Sequence, residues 1–88
     1  MIVKTMRKKL ITERGEELTV MYRLTREWSD EYSSYLYSIS VSERETGETV
    51  TASEITSDEV FAASVFDAVT KGCVTAVSLL YVIEDMIS

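Results

Sequence analysis

Few residues in this chain carry intrinsic chemistry, and the spacing of those few decides what they can do. Cys73 is the single cysteine, and it follows Gly72 between two expected helices. A thiol near the start of the last helix would have its pKa lowered by the helix dipole and could serve as a nucleophile. The plainer reading, and the one expected, is a small apolar residue packing the turn between helices. A minimal thiol-dependent enzyme built on Cys73 would also need a base within hydrogen-bond reach. With no histidine in the chain, that base would have to be a carboxylate or a neutral lysine. None of the serines sits in a nucleophile-elbow context.

The carboxylates fare no better as catalysts. Glu84 and Asp85 are adjacent on an expected helix and point about 100° apart, a poor geometry for sharing a proton or a metal ion. Asp58 and Glu59 suit the start of a helix, where negative charge meets the positive end of the dipole. No D-x-D-x-D-G loop is present and the three glycines (Gly15, Gly47, Gly72) are far apart, so calcium loops and phosphate cradles have no support. The chain is therefore read as a non-enzyme with no metal and no cofactor.

Charge is more informative. The net charge is −6, but residues 1–26 carry seven bases and three acids, whereas residues 27–88 carry twelve acids against Arg44 and Lys71. Arg7-Lys8-Lys9 is the one basic cluster, and the overall negative field disfavours direct binding of DNA or RNA. The acidic part suggests the converse, a small protein that stands in for phosphates in the basic groove of a nucleic-acid-handling effector. Asp30, Glu31, Glu43, Glu45, Glu48 and Glu54 are the acids expected to meet such a partner, with Asp58 and Glu59 beside them. Trp28 and Tyr32 lie in a polar stretch, Trp28-Ser-Asp-Glu-Tyr-Ser-Ser34, and aromatic residues with one wet edge are common anchors of protein interfaces.

Hydrophobic period places these residues. Up to about Ile55 the apolar residues alternate, and from Thr56 onward they follow helical spacing. The alternation predicts strands over Thr5 to about Glu13, Glu17 to about Glu27, a third around Tyr35 to Ser42, and Thr49 to Ile55. Turns fall at Arg14-Gly15-Glu16 and Glu45-Thr46-Gly47-Glu48. Leu18, Val20, Tyr22 and Leu24 should share a core face with Tyr35, Tyr37, Ile39 and Val41. A capping box, Thr56 with Glu59, should open a helix that runs to Lys71 and ends with Gly72 in the left-handed conformation. Thr75 should cap a last helix from Ala76 to about Ile87. Its apolar set, including Ala76, Leu79, Leu80, Ile83, Met86 and Ile87, is wide enough to be covered by the rest of the fold or by a second copy. The fold class is α+β: a four-stranded antiparallel meander with two C-terminal helices on one face.

The stretch Val74-Thr75-Ala-Val-Ser-Leu-Leu-Tyr-Val-Ile-Glu-Asp85 resembles a family of short bacterial proteins of unknown function whose closing segment reads VT-x-x-x-L-x-x-VIED, with Ala76 where that pattern carries proline. The resemblance implies a β-meander followed by helices and implies no activity.

Eighty-eight residues make one small domain, which buries only about 60–65% of the surface its unfolded chain exposes. No apolar run approaches the roughly 20 residues of a membrane span and the first residues lack a secretory pattern, so a cytoplasmic location is expected. The reading is a protein–protein interaction module, in its most concrete form a small acidic inhibitor of the anti-restriction or anti-CRISPR type, with a homodimeric accessory domain as the alternative.

Overall fold

The computed structural model describes residues 1–87. Four antiparallel strands, β1 (Ile2–Ile11), β2 (Glu17–Ser29), β3 (Ser34–Glu43) and β4 (Thr49–Thr56), form one open sheet in sequential order. Helix α1 (Glu59–Lys71), a 3-10 turn (Ala76–Ser78) and helix α2 (Leu79–Ile87) follow. The α+β fold class read from the sequence is the fold observed.

The core lies between one sheet face and the helices. Successive strand residues point to opposite faces, and the register sets Tyr22 opposite Val41 and Leu24 opposite Ile39. This row packs against Ala62, Val65, Phe66 and Val69 of α1 and Leu79 and Ile83 of the last segment. At β1 the helix face carries Lys4, Met6, Lys8 and Leu10, so lysine side chains complete the cover where α1 ends. The Lys8 Nζ donates to the Thr70 carbonyl at 2.7 Å, and the Lys4 Nζ lies 6.0 Å from the Phe66 ring centroid. A cation at a helix C-terminus satisfies a carbonyl the helix leaves free and suits the dipole.

Several boundaries differ from expectation, each for a local reason. β1 begins at Ile2 rather than Thr5, because Met1 and Arg26 exchange backbone hydrogen bonds and Ile2 pairs with Thr25. It ends at Ile11, where Thr12 accepts from Gly15 and Glu16 in the turn. α1 is capped by Asp58, not Thr56: the Asp58 carboxylate accepts from the Val60 and Phe61 amides at 2.9 and 3.2 Å, while the Thr56 hydroxyl accepts from the Asp58 amide.

The helix ends at Lys71 as expected, but the left-handed residue comes one position later than glycine placement suggests. Gly72 stays at φ −78°, and Cys73 takes the left-handed conformation at φ 51°. The Cys73 amide donates to the Thr70 carbonyl and the Val74 amide to that of Val69, which is a Schellman closure with cysteine where glycine is usual. Cys73 is exposed, against the expected buried packing role.

Candidate interaction surface

The β2–β3 hairpin outruns the sheet. β1 reaches no further along β2 than Arg26, which bonds Met1, and β4 meets β3 last at Tyr37, opposite Thr56. Residues 27–36 therefore form a two-stranded ribbon around a four-residue loop, with Ser33 at φ 50°. This extension contributes to a principal extent of 46 Å and a radius of gyration of 13.3 Å, against about 12 Å for a compact chain of this length.

Trp28 belongs to β2, not to a loop, and faces Tyr35 across the ribbon. Their rings meet edge to face at 5.3 Å and 80°. The Arg26 guanidinium lies over the Tyr35 ring, 4.5 Å from its centroid, and its Nε is buried without a partner among the described residues. The indole N–H donates to Asp30 Oδ1 at 2.9 Å. Tyr35, expected in the core, is 41% exposed, because α1 starts beyond Thr56 and no helix covers the row past Tyr37. Trp28 is 55% and Tyr32 63% exposed. Asp30 and Glu31 are exposed at the loop. An isolated two-stranded ribbon is marginal in water; this one is held by an aromatic cross-strand pair of the kind that contributes about 0.5–1.5 kcal/mol.

The acids of the β3–β4 turn divide. Glu43 is 7% exposed: one carboxylate oxygen accepts from the Ala76 amide at 2.8 Å and the other from the Thr46 hydroxyl at 3.0 Å. It is the cap of the last helical segment, a role the sequence suggested for Thr75, whose side chain makes no capping bond. Its carboxylate faces inward and offers nothing to a partner. Glu45 is exposed but engaged, accepting from the Thr19 amide at 2.6 Å and the Thr19 hydroxyl at 2.9 Å. The Thr19 amide bond, above all, holds its carboxyl below the usual carboxylate range. Glu48 is exposed, and Glu54 sits exposed at a bulge in β4 with φ 52°, its amide bonded to the Ser38 hydroxyl. The expected contacts thus fall into separate groups: Trp28, Asp30, Glu31 and Tyr32 share the ribbon tip, Glu43, Glu45 and Glu48 share the β3–β4 turn, and Glu54 stands apart on β4.

The uncovered sheet face holds an open depression of about 420 Å³, whose floor includes the cross-strand row Arg7, Met21, Ser42 and Thr49, with Arg44 at its side. Arg7, Arg44 and Glu43 all line it, but the Glu43 carboxylate is committed to the Ala76 amide and the Thr46 hydroxyl. A second one, about 560 Å³, borders Glu84 and Asp85 on α2. Cys73 has the Lys8 Nζ at 3.9 Å from its sulfur. Among the described residues no three His, Cys, Asp or Glu side chains gather as a metal site, and no helix is long and apolar enough to cross a membrane.

Arg26 and Tyr35 were missed as site residues. The signal for them was present: a four-residue loop at Asp30–Ser33 puts Trp28 and Tyr35 in register, and the alternation then extends to Arg26.

No curated protein and no solved structure matches the chain. A family model matches it from residue 1 to residue 88, and the chain accordingly belongs to the Family of unknown function (DUF6514).

Proposed function

We propose that this protein is a non-enzymatic interaction module that docks through the tip of the β2–β3 ribbon onto a basic surface of another protein. The observation that carries the reading is the ordered, exposed Trp28–Tyr35 pair on a ribbon that projects beyond the sheet next to Glu27, Asp30 and Glu31. Trp and Tyr are the residue types that dominate interface energetics. A side chain already fixed by a cross-strand ring and an indole hydrogen bond loses little entropy on binding. Asp30 and Glu31, with no base in the loop that carries them, would steer the tip toward positive charge, whereas Glu27 lies 3.5 Å from the Met1 ammonium.

In its finer form the partner is a cytoplasmic nucleic-acid-handling effector of a bacterium or phage, and the tip occupies the groove that otherwise holds phosphates. Small size, net charge of −6 and a projecting acidic tip support this form. The test is capture from host lysate by the wild type, by W28A and by D30K/E31K, followed by competition with duplex DNA or RNA. A partner lost by both variants and displaced by nucleic acid is the expected result. Equal retention by the variants removes the tip, and indifference to nucleic acid removes the effector groove.

A second reading follows from α2. Ala76, Leu79 and Ile83 are buried, but Val77, Leu80 and Tyr81 form an exposed row at helical spacing, with Met86 and Ile87 also exposed. A second copy would hide this row. Sedimentation at micromolar concentration decides: a species of twice 10.0 kDa supports the homodimer and a 10.0 kDa species ends it.

A further inference from the structure

The two edges of the sheet are unlike. β4 is interrupted, since its pairing jumps from Ile39–Ala52 to Tyr37–Thr56 and Glu54 stands in the left-handed region, and α2 packs against it. Such a bulge twists an edge away from further pairing. β1 is ten residues long, bonds β2 on one side only, and keeps regular register from Lys4 to Ile11. Alternate amides and carbonyls of that run point away from the sheet.

Its side chains narrow the occupant. Lys4, Arg7, Lys8 and Lys9 make β1 a basic strand without an acid. Arg7 and Lys9 stand on the uncovered face, while Met6 and Leu10 alternate with Lys4 and Lys8 on the helix face. Lys9 pairs with Glu17 at 3.2 Å in an exposed contact, and Arg7 has no ion pair among the described residues. Edge lysines deter indiscriminate strand addition, and two copies of β1 side by side would set cation against cation with nothing between. A second copy is therefore the wrong occupant.

We infer that β1 accepts an extended acidic peptide as a fifth strand, with acids at alternate positions opposite Arg7 and Lys9 and apolar residues at the other positions, beside Met6, Leu10 and the stem of Lys8. Main-chain bonds to the free edge supply affinity, and the alternate side chains supply selection. Cross-strand partners are about 5 Å apart at Cβ, close enough for opposite charges to attract. This site is distinct from the ribbon tip, and neither requires the other.

The test uses the full chain and three blocked synthetic peptides of equal length: alternating glutamate and valine, alternating lysine and valine, and the first composition with its glutamates contiguous. Fluorescence anisotropy reads binding, and amide hydrogen exchange by NMR reads where it occurs. The alternating glutamate peptide should bind, slow exchange at outward-facing β1 amides, and weaken as salt is raised. Replacing both cations in R7E/K9E should weaken it by about tenfold. R7Q/K9Q, which introduces no repulsion, should fall between the two. Equal binding of the lysine peptide, protection located away from β1, no binding of the alternating glutamate peptide, or unchanged affinity in R7E/K9E would each overturn the inference.

Discussion

Replacing Glu43 tests the least local interaction in this fold. The carboxylate lies 33 positions before the amide it caps and is almost out of solvent. In E43A the Ala76 amide, itself buried, loses its partner; leaving such a donor unsatisfied costs about 1–3 kcal/mol, and bonds to a charged acceptor contribute about 1.5–3 kcal/mol net. The Thr46 hydroxyl is exposed and regains water, so it adds little. Relief of the buried charge offsets part of the loss. The expected cost is about 2–3 kcal/mol for E43A and about 1 kcal/mol for E43Q, whose amide oxygen still accepts from Ala76. T75A should cost under about 0.5 kcal/mol, because no capping bond is lost. Total stability for a chain of this length is about 4–13 kcal/mol. Urea unfolding followed by circular dichroism should therefore show the E43A midpoint about 1.3–2 M lower at unchanged slope, for a slope of about 1.5 kcal/mol/M. E43A within 0.5 kcal/mol of wild type, or T75A costing more than E43A, would refute the remote cap.

Two further outcomes are expected. Burial first, then the negative charges of Cys73 and Glu43, pushes the Tyr22 hydroxyl up to about 12 while it donates to the Val74 carbonyl at 2.9 Å. The folded state therefore holds this proton more tightly than the unfolded chain. The resulting stability is whole below about pH 10 and declines as pH rises through about 12. Absorbance at alkaline pH should show one late-titrating tyrosine that disappears in Y22F, and a Y22F titration identical to wild type would contradict the assignment. C73G should stabilise by about 0.5–1 kcal/mol, since glycine carries no Cβ penalty at φ 51°; a lower denaturation midpoint in C73G would argue against cysteine in the left-handed closure.

The two proposed surfaces have opposite sign and lie on different elements, which gives the uneven charge along the chain a spatial meaning. The basic N-terminal part supplies a sheet edge. The acids do not form one continuous face: Glu43 caps, Glu45 anchors Thr19, and Asp58 starts α1. What remains free at the ribbon tip is a small acidic group joined to aromatic rings, a more selective feature than net charge. Charge reversal at Glu43 or Glu45 would perturb folding as well as binding, so Asp30 and Glu31 are the informative positions.

Half of the candidate site is legible in the sequence. Trp28 and Tyr32 stood out because large aromatics in a polar stretch have no core to enter, and Asp30 and Glu31 lay between them. Tyr35 was misplaced because alternation assigns a residue to a face of the sheet without saying how far along that face the helices reach. Thr56 and Thr75 were misread as caps because Asp58 lies nearer the helix start and Glu43 arrives from another strand.

The amino-acid order by itself determined the order of strands and helices, the turns at Gly15 and Gly47, and the shared core face of Val20, Tyr22, Leu24, Tyr37, Ile39 and Val41. These follow from pleat and helix periods, which are properties of neighbouring residues. Only the tertiary structure decided that Glu43 closes the last helical segment, that Cys73 rather than Gly72 turns left-handed, and that the ribbon stands clear of α1. Each depends on where distant segments meet in space, and that meeting is set by the packing of the whole core rather than by any local pattern.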